Sequence, residues 1–338
     1  MQLLRLGGET PSTWPEPCVA IGNFDGVHRG HQALVAAAVA RARERAGTAV
    51  VLTFDPHPAR VLAPARAPGT LTTLSQKAEL VAGLGADVMA VLPFDEARAR
   101  LAPAEFVSTV LAGFLRARCV VVGDGFRFAH RQSGDVATLA ALGNEYGFVL
   151  AAIAPVLEGG EPISSSRVRD ALASGDVAAA RALLGRSYAI DGRVVAGDGR
   201  GRTIGVPTAN LASGNEIVPA NGVYAARCRV GGVLTEDGPP HGVGDSHPAV
   251  VNVGARPTFG GTTVTIEAHL LDFDGELYGR VVRLGFEHRL RGERRFPGAE
   301  ALVEQIHDDI ALARTLLEVP SCEGPGRLPG GGPRDRGV

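Results

Sequence analysis

The segment Gly22-Asn23-Phe24-Asp25-Gly26-Val27-His28-Arg29-Gly30-His31 decides how the first half of the chain is read. A short apolar run at 18–22 leads into it and a helical pattern at about 29–46 follows, so it occupies a strand-to-helix turn. Working outward, apolar or β-branched runs at 48–54, 87–92, 118–123 and 148–154 alternate with helix-length segments at about 75–84, 103–115 and 135–146. Strands separated by helices predict right-handed crossovers and an α/β, Rossmann-like parallel sheet covered on both faces. Ligands on such sheets sit beyond the carboxyl ends of the strands, where this turn lies.

The turn suits phosphate. A helix N-terminus presents free N–H groups and partial positive charge. His28 and His31, three residues apart, share a helix face and can both donate to phosphoryl oxygens as charge develops. A His-x-x-His alone is more often a cap with surface histidines. The segment Ile163-Ser164-Ser165-Ser166-Arg167-Val168-Arg169 changes that balance, because it opens a helical pattern at 168–172 with two arginines. Arginines in a first helical turn oppose the macrodipole by about 0.3–1 kcal/mol each when exposed. An anion held by hydroxyls, backbone and guanidinium reconciles them.

From Tyr188 the texture changes. Short alternating or β-branched runs at 194–195, 223–230, 249–253, 263–271 and 281–286 are separated by Gly, Pro and Asn turns. They predict an antiparallel sheet closed into a small barrel, followed by an amphipathic helix at about 299–317 with Leu302, Ile306, Ile310 and Leu317 on one side. The division expected is 1–185, 186–320 and a disordered Gly/Pro/Arg-rich tail at 321–338, with the boundary near Gly185. The stretch 234–248 reads as a long hairpin loop.

A second glycine-rich loop, Gly197-Asp198-Gly199-Arg200-Gly201, runs into Thr203 and then Pro207-Thr208-Ala209-Asn210. Glycines let backbone close over phosphates without Cβ clashes. Thr208 and Asn210, two apart, project from one face of an extended segment, and their neutral oxygens suit a Mg²⁺ that keeps nucleotide oxygens as ligands. Downstream, Val264, Ile266, Ala268 and Leu270 alternate with Thr265, Glu267, His269 and Leu271, so Glu267 faces away from an apolar layer. A carboxylate there can take a proton from a substrate hydroxyl.

Composition narrows the chemistry. The 338 residues are 45% hydrophobic and 21% charged with net charge −2, which gives no electrostatic reason to expect nucleic acid or an anionic membrane as partner. The arginines at 280–295 are balanced by acids without interleaved aromatics, which reads as a solvated face. Neither a secretory signal, a transmembrane stretch nor a Cys-x-x-Cys is evident, so cytoplasm is the expectation, and a monomer or weak homo-oligomer. Lys77 is the only lysine, which excludes a Walker A loop and a protein-kinase site.

These motifs resemble the bacterial bifunctional riboflavin kinase/FAD synthetases over about residues 15–318. The first half matches in Gly-x-Phe-Asp-Gly-Val-His-x-Gly-His, Thr53-Phe54-Asp55-Pro56-His57-Pro58 and Ile-Ser-Ser-Ser-x-x-Arg. The second matches in Gly-Arg-Thr-Ile-Gly-x-Pro-Thr-Ala-Asn, Gly222-Val223-Tyr224-Ala225, Asn252-Val253-Gly254 with Pro257-Thr258-Phe259, Ile266-Glu267-x-His269, Leu277-Tyr278-Gly279 and Leu290-Arg291 with Phe296. The resemblance implies riboflavin, FMN and ATP as substrates, with Mg²⁺. It places His28 and His31 at the α-phosphate, and Gly22, Phe24, Asp25, Ser164, Ser165, Ser166 and Arg169 at the nucleotide of an adenylyltransferase. It also places Gly197, Gly199, Thr203, Thr208 and Asn210 at the nucleotide and metal of a kinase, Glu267 as its base and Arg291 near the flavin. The family carries Thr where this chain has Ser166, and Gly-x-Asn-Phe-x-Phe-Gly where this chain has Gly123-Asp124-Gly125-Phe126-Arg127-Phe128-Ala129. Gly125 cannot supply the metal ligand that the Asn would, and Asp124 beside it is the candidate replacement. Two other readings stay open here: a kinase whose first domain is impaired by Gly125, and a non-catalytic flavin- or nucleotide-binding regulator. A general base at Glu267 argues against the second.

Overall fold

The computed structural model describes residues 1–7, 14–197, 201, 205–231, 243–258 and 261–318. Gly199, Thr203, Phe259, the 234–242 part of the expected loop and the 321–338 tail lie outside the described residues.

The first half is a six-stranded, all-parallel sheet in the order β1-β4-β3-β2-β5-β6, formed by β1 (Gln2–Arg5), β2 (Cys18–Ile21), β3 (Ala49–Asp55), β4 (Val88–Pro93), β5 (Cys119–Gly123) and β6 (Val149–Ile153). The edge strand β1 is new; four residues with a single large apolar side chain buried beside them are too short a run to register in the sequence. Successive residues of the central strands feed opposite layers: Val19 and Ile21 pack into one cluster, Cys18 and Ala20 into the other. Helix α1 (Arg29–Glu44) covers the second layer through Val35, Ala38 and Ala42. The chain leaves β2 for β3 on one side and returns to β5 on the other, so the strand order reverses between β2 and β5. The two loops above that reversal are the Gly22–His31 turn and the Gly123–Ala129 loop.

The remaining helices of this half are α2 (Pro58–Leu62), α3 (Leu74–Gly83), α4 (Glu96–Ala99), α5 (Pro103–Phe106), α6 (Val136–Tyr146), α7 (Ser165–Ser174) and α8 (Val177–Leu184). The single helix expected at 103–115 is α5 continued by a wider π-type winding over Val107–Phe114. A short hairpin, β7 (Leu157–Glu158) with β8 (Glu161–Pro162), precedes α7.

The second half is a closed antiparallel barrel, β10-β13-β12-β11-β14-β9, of β9 (Tyr188–Val195), β10 (Ala209–Ser213), β11 (Gly222–Gly231), β12 (Val243–Thr258), β13 (Gly261–Leu270) and β14 (Val281–Arg291). The final helix α9 (Ala299–Glu318) packs on its outside against Val223, Ala225, Val250 and Leu271. The 234–248 stretch is not all loop: β12 starts at Val243 and its His247 pairs with Cys228 of β11.

Gly185, where the boundary was expected, ends a helix. At φ 70 it is the left-handed cap that ends α8. The apolar faces of α7 and α8, through Val168, Leu172, Val177, Ala180, Leu183 and Leu184, share one hydrophobic cluster with barrel residues Tyr188, Ile190, Tyr224 and Phe286. The core therefore runs across the boundary placed there. Between α3 and the barrel, Arg283 bridges Glu79 (2.7 Å) and Asp191 (2.6 Å), and Asn215 Nδ2 donates to Gln76 Oε1 at 2.7 Å.

Candidate active sites

The Gly22–His31 turn is held from every side. The Asp25 carboxylate accepts the N–H groups of Leu71 (2.8 Å) and Thr72 (3.3 Å) and pairs with Arg169 at 2.5 Å. Ser165 Oγ donates to the Asp25 carbonyl (2.9 Å), and Arg186 donates to the carbonyls of Gly26 (2.8 Å) and Val27 (3.1 Å). Inside this cage Phe24 (φ 48) and the β-branched Val27 (φ 41) hold left-handed backbone. Such conformers cost about 1–3 kcal/mol each and persist only where the surroundings over-determine them, as at ligand clamps.

The structure brings the predicted phosphate residues together, but several side chains have other occupations. Ser164 is the N-cap of α7, accepting from the Arg167 N–H at 3.3 Å, and Ser166 is exposed. Arg169 is not a free anion ligand: it is committed to Asp25 and, through Nε, to the Gly69 carbonyl at 2.8 Å. Arg167 reaches back to the carbonyls of Glu161, Pro162 and Glu158. The arginines opposing the α7 dipole are thus satisfied inside the protein, and the inference from them to a bound anion falls away. What supports one is that the N-termini of α1 and α7 meet at this turn. Phe24 is fully buried, its ring edge-on to His31 at 5.2 Å, so its side chain is core rather than a nucleotide contact.

His28 and His31 do not simply share a helix face. His28 is the extended N-cap of α1 (φ −68, ψ 168), its Nδ1 accepts from the His31 N–H at 3.3 Å, and the two rings stack with centroids 3.6 Å apart. An accepting Nδ1 leaves the proton on Nε2. Burial, reinforced by Arg186, lowers His28 to about 4, and burial with His28 and Lys77 beside it holds His31 well below the usual imidazole value. Both rings are neutral at neutral pH. His31 Nδ1 is buried without a hydrogen-bond partner.

From Gly22 and Asn23 a cavity of about 690 Å³ opens over the strand-order reversal, walled by Phe54, Phe94, Phe106, Phe126 and Phe128 and rimmed by Arg98, Arg127, His130 and Arg131. Phe126 and Phe128 lie parallel at 5.6 Å, and Phe54 meets Phe94 edge-on at 5.8 Å. Size and lining fit a planar aromatic ligand with an anionic end. These aromatics were not foreseen as a site; the signal available was the alternation of Phe126 and Phe128 in a polar loop. Gly125 lines the cavity with open space around its Cα, whereas Asp124 is exposed and is not among the wall residues.

On the barrel, register does what alternation predicted. Glu267 of β13 stands directly between Asn210 of β10 and Asn252 of β12, on the outer face, while Ile266, Ala268 and Leu270 enter the core. Asn252 as the third member of this row was not foreseen, because adjacency across strands has no signature in linear spacing. Val264 departs from the pattern, being half exposed in the first half of its strand. Thr208 and Asn210 are both half-buried, and His269 Nδ1 lies 2.8 Å from the Pro207 carbonyl, fixing the segment before β10. Gly197 lies against the Asn210 amide, where any Cβ would stand 2.1 Å from Nδ2, so the glycine permits the close approach. Among the described residues no group of three or more His, Cys, Asp or Glu could hold a metal. Arg291, expected near the flavin, has its guanidinium clamped on the buried Asp309 of α9 at 2.8–3.0 Å.

Two family models match consecutive parts of this architecture: FAD synthetase over residues 10–167 and riboflavin kinase over 184–317. The bifunctional riboflavin kinase/FMN adenylyltransferase of Escherichia coli K12 is 41% identical over 319 residues, covering 94% of this chain and 98% of its own. The chain belongs to this bifunctional family. The Bacillus subtilis relative of the same description is 38% identical over 86% of this chain and 89% of its own. A solved structure described as a macrolide-efflux protein from Streptococcus pneumoniae superposes with a TM-score of 0.80 at 28% identity, covering 93% of this chain and 99% of its own. Among the described residues no helix is long and apolar enough to cross a membrane.

Proposed function

We propose that this enzyme divides its two reactions between the caged turn and the Asn210-Glu267-Asn252 row. The chain is a riboflavin kinase and FMN adenylyltransferase, phosphorylating riboflavin to FMN and adenylylating FMN to FAD with release of pyrophosphate, ATP being the donor in both steps. The non-catalytic regulator is thereby set aside.

The observation that carries the first assignment is a strained, over-braced turn joining two helix N-termini and opening into an aromatic cavity. The isoalloxazine of FMN fits between Phe54 and the Phe126–Phe128 pair, and the basic rim suits its phosphate. The Nε2–H of His28 and the α1 N-terminus then face the α-phosphate of ATP. As negative charge builds on the phosphoryl oxygens, the protonated imidazoles become favourable where in the empty site they are not. Ser166 and the free N–H groups of α7 are placed for the departing pyrophosphate.

In the barrel, Glu267 accepts the proton of the ribityl 5′-hydroxyl as it attacks the γ-phosphate, with Asn210 and Asn252 orienting the carboxylate neighbourhood. Thr208 and Asn210 would hold a Mg²⁺ through their neutral oxygens, and the ion would neutralise the charge of the nucleotide phosphates.

A crossed pair of variants tests the division. Glu267→Gln lowers FMN formation by roughly 10²-fold or more and spares FAD formation from supplied FMN. His31→Ala does the reverse, raising the adenylyl-transfer barrier by about 2.7–4 kcal/mol. Chromatography of the products decides; either variant impairing both reactions equally removes the assignment.

A further inference from the structure

Lys77, the only lysine in the chain, is buried in α3 at 8% exposure. Its ammonium lies directly beneath the caged turn, donating to the Asn23 carbonyl at 2.8 Å and to Thr53 Oγ1 at 3.3 Å, while Thr53 Oγ1 donates to the same carbonyl at 3.0 Å. Both acceptors are neutral. A buried cation without a carboxylate in contact is costly, and burial accordingly pulls Lys77 below its usual value, with Asp25 and Asp55 opposing from a distance. Those two carboxylates are paired with Arg169 and with Arg5. The single lysine therefore stands behind the loop that receives phosphate, not in contact with the phosphate itself.

We propose that Lys77 is a positioning residue for adenylyl transfer, fixing the Asn23 carbonyl at the junction of turn and aromatic cavity and placing a positive charge directly behind it. Asn23 and Gly22 both line the cavity, so a shift of the Asn23 carbonyl moves the turn relative to the flavin wall. Burial lowers His31 first, with His28 and then Lys77 adding to it; His57 after β3 is likewise lowered by burial, with Asp25 opposing and Lys77, Arg169 and Arg60 contributing, and Arg186 adds to the lowering of His28. Removing Lys77 leaves Arg186 and Arg169 on the turn but takes away the cation that holds the Asn23 carbonyl.

This rests on assigning the turn to adenylyl transfer, and the test keeps the two apart. Lys77→Gln retains a donor for Asn23 and deletes the charge; Lys77→Met deletes both. In the full-length protein, FAD formation is expected to fall at least tenfold in kcat for Gln and further for Met, with FMN formation from riboflavin in the same sample unchanged as the check on folding. Nuclear magnetic resonance titration of His31 is expected to move to higher pH in the Gln variant, which a packing role would not produce. A Gln variant with parental FAD kinetics and an unmoved His31 titration overturns the proposal. A His31→Ala protein with undiminished FAD formation overturns instead the assignment of the turn.

Discussion

His28 is a cap, a stacked ring and a candidate donor at once, and these roles fix its protonation. Its imidazole titrates at about 4 in the folded chain against an ordinary value near 6.5. The unfolded chain therefore binds more protons between those values, so this group destabilises the fold as pH falls from about 6.5 towards 4, by on the order of 3 kcal/mol when the descent is complete. Thermal melts across that window should show the decline, and His28→Asn, which keeps a capping acceptor but has nothing to titrate, should make it shallower, leaving the part owed to His31 and His57, which burial also lowers. An unchanged slope would place the acid sensitivity elsewhere. Gly125 is the other informative residue. A Cβ added there meets nothing within 4 Å, so Gly125→Asn is tolerated sterically and should raise FAD formation or lower its Mg²⁺ requirement. Asp124→Ala is the companion measurement; if neither change alters FAD formation, the metal is held by other groups.

At the scale of elements, α9 is bolted to β14 rather than merely laid on the barrel. Asp309 interrupts the helix's apolar face and is buried, and Arg291 answers it with three hydrogen bonds, its neighbour Phe296 presenting a ring 5.6 Å from the guanidinium. Removing one member of a buried pair strands the other, at a typical cost of about 3–5 kcal/mol. Arg291→Ala should therefore lower the melting temperature while leaving the KM for riboflavin near its starting value. A large KM rise with unchanged stability would restore Arg291 to the flavin. The periodicity of α9 was legible, yet the residue that anchors it was invisible, because a charge on an apolar stripe reads as an interruption until its partner is known.

Over the whole molecule the two halves share a core. Helices α7 and α8 carry the Ser164–Arg169 segment of the first site on one side and pack Leu172, Leu183 and Leu184 into the barrel cluster on the other. A fragment of residues 186–318 leaves the barrel side of that cluster uncovered, and each large apolar side chain fully returned to water costs about 1.5–3 kcal/mol. A fragment beginning near residue 160 keeps both helices. The longer fragment should be the more soluble and thermally stable of the two and should make FMN; equal melting temperatures would show that the barrel closes its core without α7 and α8.

The sequence by itself determined what depends on local pattern. The run of strand and helix periods specified a parallel sheet, then a barrel; the glycine turn after β2 and the alternation around Glu267 specified which residues are candidates for the two sites, since which face a residue takes follows from spacing alone. Tertiary structure decided which charged groups are spent. Lys77, Arg169 and Arg291 all looked available or irrelevant in one dimension. Each proved to be committed to a partner distant in the chain: Asn23 for Lys77, Asp25 for Arg169 and Asp309 for Arg291, at separations of 54, 144 and 18 positions. Aromatic walls from β3, the loops after β4 and β5, and the row Asn210-Glu267-Asn252 likewise exist only once strands are in register. Charge pairing and cavity lining depend on distance through space, and a linear pattern records only distance along the chain.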